Sequence, residues 1–215
     1  MTKTKKDITA LRQEYSQNEL TIEATTDDPI EQFHTWFEDA LNAELIEPNA
    51  MTLSTVDENG MPSARIVLLK EFDHEGFVFY TNYNSRKGHE LASNPYAALT
   101  FFWLPLERQV RIKGSVQKVS DEENDNYFYK RPIDSQKAAI ASEQSSPIKN
   151  KESLSEKMDE LKKLHKESIK RPTLWGGYQV KPYNIEFWQG RPNRLHDRIS
   201  YYQQSGKWVK TRLAP

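Results

Sequence analysis

The chain has 215 residues, no cysteine, and 30 basic against 31 acidic side chains, for a formal net charge of −1. That balance offers no global attraction to nucleic acid or to an anionic membrane, and the lack of cysteine excludes disulfides, thiolate metal sites and a cysteine nucleophile. The five histidines form no His-x-x-x-His pair, so no metal site is expected. No apolar run reaches spanning length and the N-terminus lacks the apolar core of a signal peptide, so the chain reads as cytoplasmic.

Residues 1–27 are polar and read as a mobile segment, with residues 28–215 as one domain. Asp28-Pro29-Ile30-Glu31 has the composition of a helix start. Phe33, Trp36, Phe37, Ala40 and Leu41 follow at helical spacing, so this helix buries one face and runs to Glu47-Pro48. A strand from Met51 to Val56, a turn at Asp57–Gly60 and a strand from Ala64 to Lys70 predict a hairpin. Ile66, Val67, Leu68 and Leu69 are apolar on both faces, which predicts a fully buried strand. Phe77–Thr81 is a strand, Asn84–Ser93 a short helix and Tyr96–Trp103 a strand. Gln109–Val119 follows, with Val110, Ile112, Gly114 and Val116 on one face.

Helical signals then return. Ser120 with Glu123 predicts a capping box for a helix to about Lys130, and a short helix spans about Asp134 to Ala141. Ser153 with Glu156 predicts the cap of a longer helix with Leu154, Met158, Leu161 and Leu164 on one face, ended by Lys170-Arg171-Pro172. Strands near Trp175–Val180, Ile185–Gln189 and Trp208–Arg212 close the chain. Hairpin-like strands with inserted helices predict a mainly β fold, an antiparallel barrel with flanking helices.

Several clusters could hold an anion. Arg65 and Lys70 bracket an apolar strand, as rim cations or as plain surface charges. Ser85-Arg86-Lys87-Gly88 opens a helix, where free N–H groups favour phosphate and where cations are otherwise unfavourable. Tyr127, Arg131 and Ser135 recur every four residues and all donate to phosphate oxygens, although a Tyr packed under an Arg stem explains the spacing equally well. Gln144-Ser145 offers loop donors, and Trp175-Gly-Gly-Tyr178 reads as a close backbone approach. The run Trp188–Arg198 holds three arginines, His196 and Asp197, either as an anion site or as a solvated strand end with Asp197 paired to an arginine. No nucleophile with a paired base is visible, which suits chemistry done by a cofactor.

In this order the blocks resemble the pyridoxamine 5′-phosphate oxidase family. They are Arg65-Ile-Val-Leu-Leu-Lys70, Tyr80-Thr81, Ser85-Arg86-Lys87, Glu107-Arg108-Gln109-Val110, Arg131-Pro132-x-Asp134-Ser135-Gln136 and Ala141-Ser142-x-Gln144-Ser145. Trp175–Tyr178, Glu186–Gly190, Arg194-Leu-His-Asp-Arg198 and Arg212–Pro215 continue the series, and Arg12-Gln-Glu-Tyr15 is similar to the family's N-terminal lid. The resemblance implies a homodimeric split β-barrel with FMN between subunits. It implies FMN contacts from Arg65, Ile66, Val67, Leu68, Leu69, Lys70, Tyr80, Thr81, Arg86, Lys87 and Gln109, completed by Gln144, Ser145, Trp188 and Arg198. It implies substrate-phosphate anchors in Lys70, Tyr127, Arg131 and Ser135. Arg194 and His196 would act beside the substrate ring with Leu195, under a lid carrying Arg12 and Tyr15. The implied reaction oxidises pyridoxamine or pyridoxine 5′-phosphate to pyridoxal 5′-phosphate, with oxygen as acceptor and release of hydrogen peroxide. Two other readings are a split-barrel flavin reductase using a nicotinamide cofactor and a non-catalytic FMN or pyridoxal phosphate binder. Neither would need the Arg194–His196 pair.

Overall fold

The computed structural model describes residues 14–163 and 169–215. Arg12 and Leu164 therefore lie outside the described residues. The chain divides into two compact units. The smaller takes the residues up to Ile46, with Phe102–Val110 and Glu186–Pro215; the larger takes Glu47–Phe101 and Arg111–Ile185.

The larger unit is built on a mostly antiparallel sheet curled into a half-barrel. Its strands are β1 (Ala50–Val56), β2 (Pro62–Leu68), β3 (Glu71–Asp73), β4 (Gly76–Asn82), β5 (Tyr96–Trp103), β6 (Arg108–Lys118) and β7 (Trp175–Gln189), the last three running on into the smaller unit. The order is β2-β1-β5-β6-β7-β4-β3. Alternation places Met51, Leu53 and Thr55 of β1 inward, with Leu99 and Phe101 of β5 and Ile112 of β6. Four helices belong to this unit: α2 (Arg86–Ser93), α3 (Asp121–Lys130), α4 (Ile133–Ala141) and α5 (Lys151–Lys162). Ser120 and Glu123 form the expected capping box of α3. In the smaller unit, α1 (Pro29–Asn42) is capped by Asp28, whose carboxylate accepts the Ile30 N–H at 2.7 Å. Trp36 of α1 meets Phe187 edge-on at 5.1 Å, and Phe187 meets Tyr201 of β8 (Asp197–Gln204) at 5.7 Å. β8 pairs with β7 and with β9 (Lys207–Arg212). No helix among the described residues is long and apolar enough to cross a membrane.

The structure corrects several sequence expectations. The strand carrying Ile66–Leu69 is not buried on both faces: Leu69 is buried, but Ile66 is 65% exposed and borders an open cavity. The first helix stops at Asn42 rather than near Pro48, and Leu41 is exposed. Asn150, not Ser153, caps α5; its side chain accepts the Ser153 N–H, and the helix ends at Lys162. The two strands expected between Trp175 and Gln189 are one continuous strand. β3 and β8 are additional strands.

Candidate active site

Within the larger unit, β2, β4, α3 and α4 surround a cavity of about 750 Å³. Arg65, Lys70, Lys87 and Arg131 line it, and among the described residues no carboxylate does. Ile66, Val67, Leu68, Tyr80, Thr81, Tyr127, Ser135 and Gln144 share the same lining, so most of the expected cofactor and phosphate contacts lie together. Leu69 is buried instead of facing the cavity, and Arg86 and Ser145 line a neighbouring hollow with His89 and Glu90. Trp175, whose stretch to Tyr178 reads in the sequence as a close backbone approach, also lines the cavity.

One wall is aromatic. Tyr80 of β4 stacks on Tyr127 of α3 at 3.9 Å and on Trp175 of β7 at 5.5 Å. Burial first, then nearby acids, pushes the Tyr80 phenol up to about 12, so it stays a neutral donor. The Tyr80 ring packs against Gly177, where an added Cβ would lie 2.9 Å from Tyr80 Cε1. Arg131 sits just past α3, its guanidinium carbon 4.6 Å from the Trp175 centroid. Its Nη1 is buried without a hydrogen-bond partner, and burial pulls its pKa below the ordinary arginine value.

Another part of the lining is polar. Ser85 caps α2, whose first turn carries Arg86 and Lys87 and no acid. Lys87 Nζ donates to Thr81 Oγ1 at 3.1 Å and Ser85 Oγ at 3.2 Å, and Thr81 Oγ1 donates to Gln144 Oε1 at 2.9 Å. Burial, then repulsion from Arg65, lowers the Lys87 pKa to about 8, against the attraction of Glu90. Arg65 spends its Nη1 on Leu53 O and Thr55 Oγ1, and its Nη2 on Ser63 Oγ and Glu90. Glu90 was missed in the sequence, although Arg86-x-x-x-Glu90 is an i,i+4 pair that could have signalled it.

The smaller unit holds the remaining expected residues. Gln109 is half-buried on β6. Trp188 and His196 lie 4.7 Å apart between ring centroids, and Tyr15 stands edge-on to both at 5.8 Å. The Arg191 N–H donates to His196 Nδ1 at 3.1 Å, which leaves the neutral imidazole's proton on Nε2. Burial, then Arg194, lowers the His196 pKa, against Asp197, so the ring is neutral near pH 7. Arg194 and Leu195 are exposed, and Asn193 and Arg194 hold φ of 55° and 62°, a left-handed pair costing about 1–3 kcal/mol each. Arg198 makes a two-pronged pair with Glu186, both contacts at 3.0 Å, and donates to Ala214 O. Asp197 is a structural partner: it accepts from Arg212 Nη1 at 2.6 Å and from the Leu20 N–H, and pairs with Arg191 at 3.5 Å.

Residues 37–165 match the family model described as pyridoxamine 5′-phosphate oxidase, and residues 175–215 match the pyridoxine 5′-phosphate oxidase C-terminal dimerisation region. The chain is 52% identical over 209 residues to the pyridoxine/pyridoxamine 5′-phosphate oxidase of Herminiimonas arsenicoxydans, covering 97% of this chain and 99% of that one. It is 54% identical over 209 residues to the protein of that name from Salinibacter ruber, covering 95% and 97%. Among solved structures it is similar to PhzG from Burkholderia lata in complex with tetrahydrophenazine-1-carboxylic acid, with TM-score 0.87, 29% identity and coverage of 93% and 100%. Fold and matches together define the class, an oxidoreductase of the split-barrel type. Within that class, the chain belongs to the pyridoxamine 5′-phosphate oxidase family.

Proposed function

We propose that this chain oxidises pyridoxamine 5′-phosphate and pyridoxine 5′-phosphate to pyridoxal 5′-phosphate, using FMN and oxygen and releasing hydrogen peroxide. The observation that carries the reading is the buried, unpaired Nη1 of Arg131 in a cavity whose described lining has four cations and no carboxylate. An unpaired buried donor of this kind costs about 1–3 kcal/mol, and more when charged, until a ligand supplies an acceptor. A phosphate monoester supplies three acceptor oxygens and a charge near −2.

Lys70, Tyr127, Arg131 and Ser135 form a donor set for the substrate phosphate. Lys87, Thr81, Arg65 and Arg86 form a second set for the FMN phosphate, with Ile66–Leu69 and Tyr80 along the flavin. Held by these residues, FMN would supply the two-electron redox chemistry that connects oxidation at the substrate C4′ carbon to oxygen. The chain's own task is to hold two phosphorylated rings in register and exclude water. Arg194, Leu195 and His196 lie beside the substrate ring in this reading, with His196 offering its Nε2–H as a donor. Tyr15 closes over the ring as part of an N-terminal lid that also carries Arg12. Gln109, Gln144, Ser145, Trp188 and Arg198 complete the cofactor site in a homodimer, consistent with the dimerisation region at 175–215. We read residues 28–215 as one catalytic domain of a cytoplasmic enzyme.

An aerobic assay of the FMN-loaded protein tests this. Peroxide should appear with pyridoxine or pyridoxamine 5′-phosphate and not with the unphosphorylated vitamers. Failure with both phosphates, or flavin reduction by a nicotinamide cofactor instead, would overturn it.

A further inference from the structure

Four side chains converge on the carboxylate of Glu90, which lies in α2 with 4% exposure. Its Oε2 accepts from Thr55 Oγ1 at 2.5 Å and from Arg65 Nη2 at 2.8 Å. Its Oε1 accepts from Arg86 Nε at 3.0 Å, and Ser63 Oγ donates to both oxygens at 2.7 and 2.8 Å. Burial alone would push this carboxyl up, but the hydrogen bonds from Thr55, Ser63, Arg65 and Arg86 outweigh it and bring the pKa down to about 2. Glu90 is therefore a fixed anion beside three cations, Arg65, Arg86 and Lys87.

The geometry separates the two arginines. Both Nη groups of Arg65 are held by β1, β2 and Glu90, so its plane is set before any ligand arrives. Arg86 commits Nε to Glu90 and is 68% exposed, so its terminal nitrogens form the outward part of the guanidinium. A shared carboxylate orients both at once and relieves their repulsion.

We propose that Glu90 is a positioning residue for anion recognition, holding Arg65 and Arg86 in the arrangement that receives the cofactor phosphate. This rests on the assignment of Arg65, Arg86 and Lys87 to that phosphate. Two roles for Glu90 predict opposite signs. As a neutralising charge it opposes anion binding, and its removal tightens the complex. As a positioning residue its removal loosens the complex.

The test titrates FMN and riboflavin, which lacks the phosphate, into flavin-depleted full-length protein and follows flavin fluorescence. Wild type should prefer FMN to riboflavin. Glu90→Gln should weaken FMN by about tenfold or more, the worth of one charge-assisted hydrogen bond, and leave riboflavin unchanged. Glu90→Asp keeps the charge but shortens the reach, and should lose part of the FMN preference. An unchanged or raised preference in Glu90→Gln, or a wild-type preference in Glu90→Asp, overturns the positioning role while the phosphate assignment stands. A wild type that does not distinguish FMN from riboflavin overturns both. If Glu90→Gln does not fold, Glu90→Asp decides alone.

Discussion

Arg131 lies over Trp175, its guanidinium carbon 4.6 Å from the ring centroid, and Trp175 lies parallel to the Tyr127 ring at 6.1 Å. The indole supports the guanidinium, one nitrogen of which is buried without a partner. Lysine cannot reproduce this, because an ammonium neither stacks nor presents a planar fork. Arg131→Lys should lower kcat/KM for pyridoxine 5′-phosphate by about 10–100-fold, mostly through KM, the loss of one or two charge-assisted hydrogen bonds. FMN affinity should be unchanged. Steady-state kinetics beside a flavin titration checks both.

Lys87 gives a pH dependence of defined sign. Lys87 is 7% exposed and its pKa is lowered to about 8, chiefly by burial. The second ionisation of a phosphate monoester lies near pH 6, so ligand charge is constant above pH 7. FMN affinity should fall between pH 7 and 9 as Lys87 loses its proton, and Lys87→Arg should flatten the curve. Stability moves the other way. Between about 8 and the ordinary 10.5, the unfolded chain keeps a proton that the folded chain has lost, so this group's contribution to stability rises with pH. Thermal unfolding of the flavin-free protein across that window reads the second sign.

Gly88 tests packing against propensity. In an exposed helix, Gly→Ala is stabilising by about 1 kcal/mol. Here an added Cβ would lie 1.9 Å from Tyr83 O and 2.5 Å from its carbonyl carbon, and backbone cannot rotate away. Overpacking costs about 1–3 kcal/mol, so the net effect of Gly88→Ala is destabilising. Tm should fall at about 2–4 °C per kcal/mol for a chain of this size. FMN affinity should fall with it, since Arg86 and Lys87 share that turn.

Glu107 fastens the segment that carries Tyr15. Its Oε2 accepts the Ser16 N–H at 2.9 Å and the Gln17 N–H at 3.1 Å. Tyr15 packs on Gly190, where an added Cβ would be 2.7 Å from the ring. Glu107→Ala should free residues 15–20, speeding their cleavage by a broad-specificity protease and raising KM. FMN affinity should stay at the wild-type level.

Local signals made much of the fold legible. The capping box of α3, the Asp28 cap of α1 and the alternation along β1, β5 and β6 all depend on residues close together in sequence. The apolar run at Ile66–Leu69 misled because a strand face is buried only where another layer covers it, and Ile66 borders a cavity that its own residues do not encode. β8 was hidden for a related reason: its start, Asp197-Arg198, reads as a charged run until Arg212 and Glu186 supply partners.

From the sequence alone came the kinds of groups present, their order and the family they resemble, because caps, turns and motifs are short-range patterns. Only the tertiary structure decided that Arg65, Lys70, Lys87 and Arg131 line one cavity with no carboxylate among its described lining residues. It alone showed Glu90 reaching Thr55 across 35 residues of chain, and one nitrogen of Arg131 buried without a partner. Desolvation and long-range hydrogen bonding are properties of the packed molecule, and they distinguish an anion site from a row of surface charges.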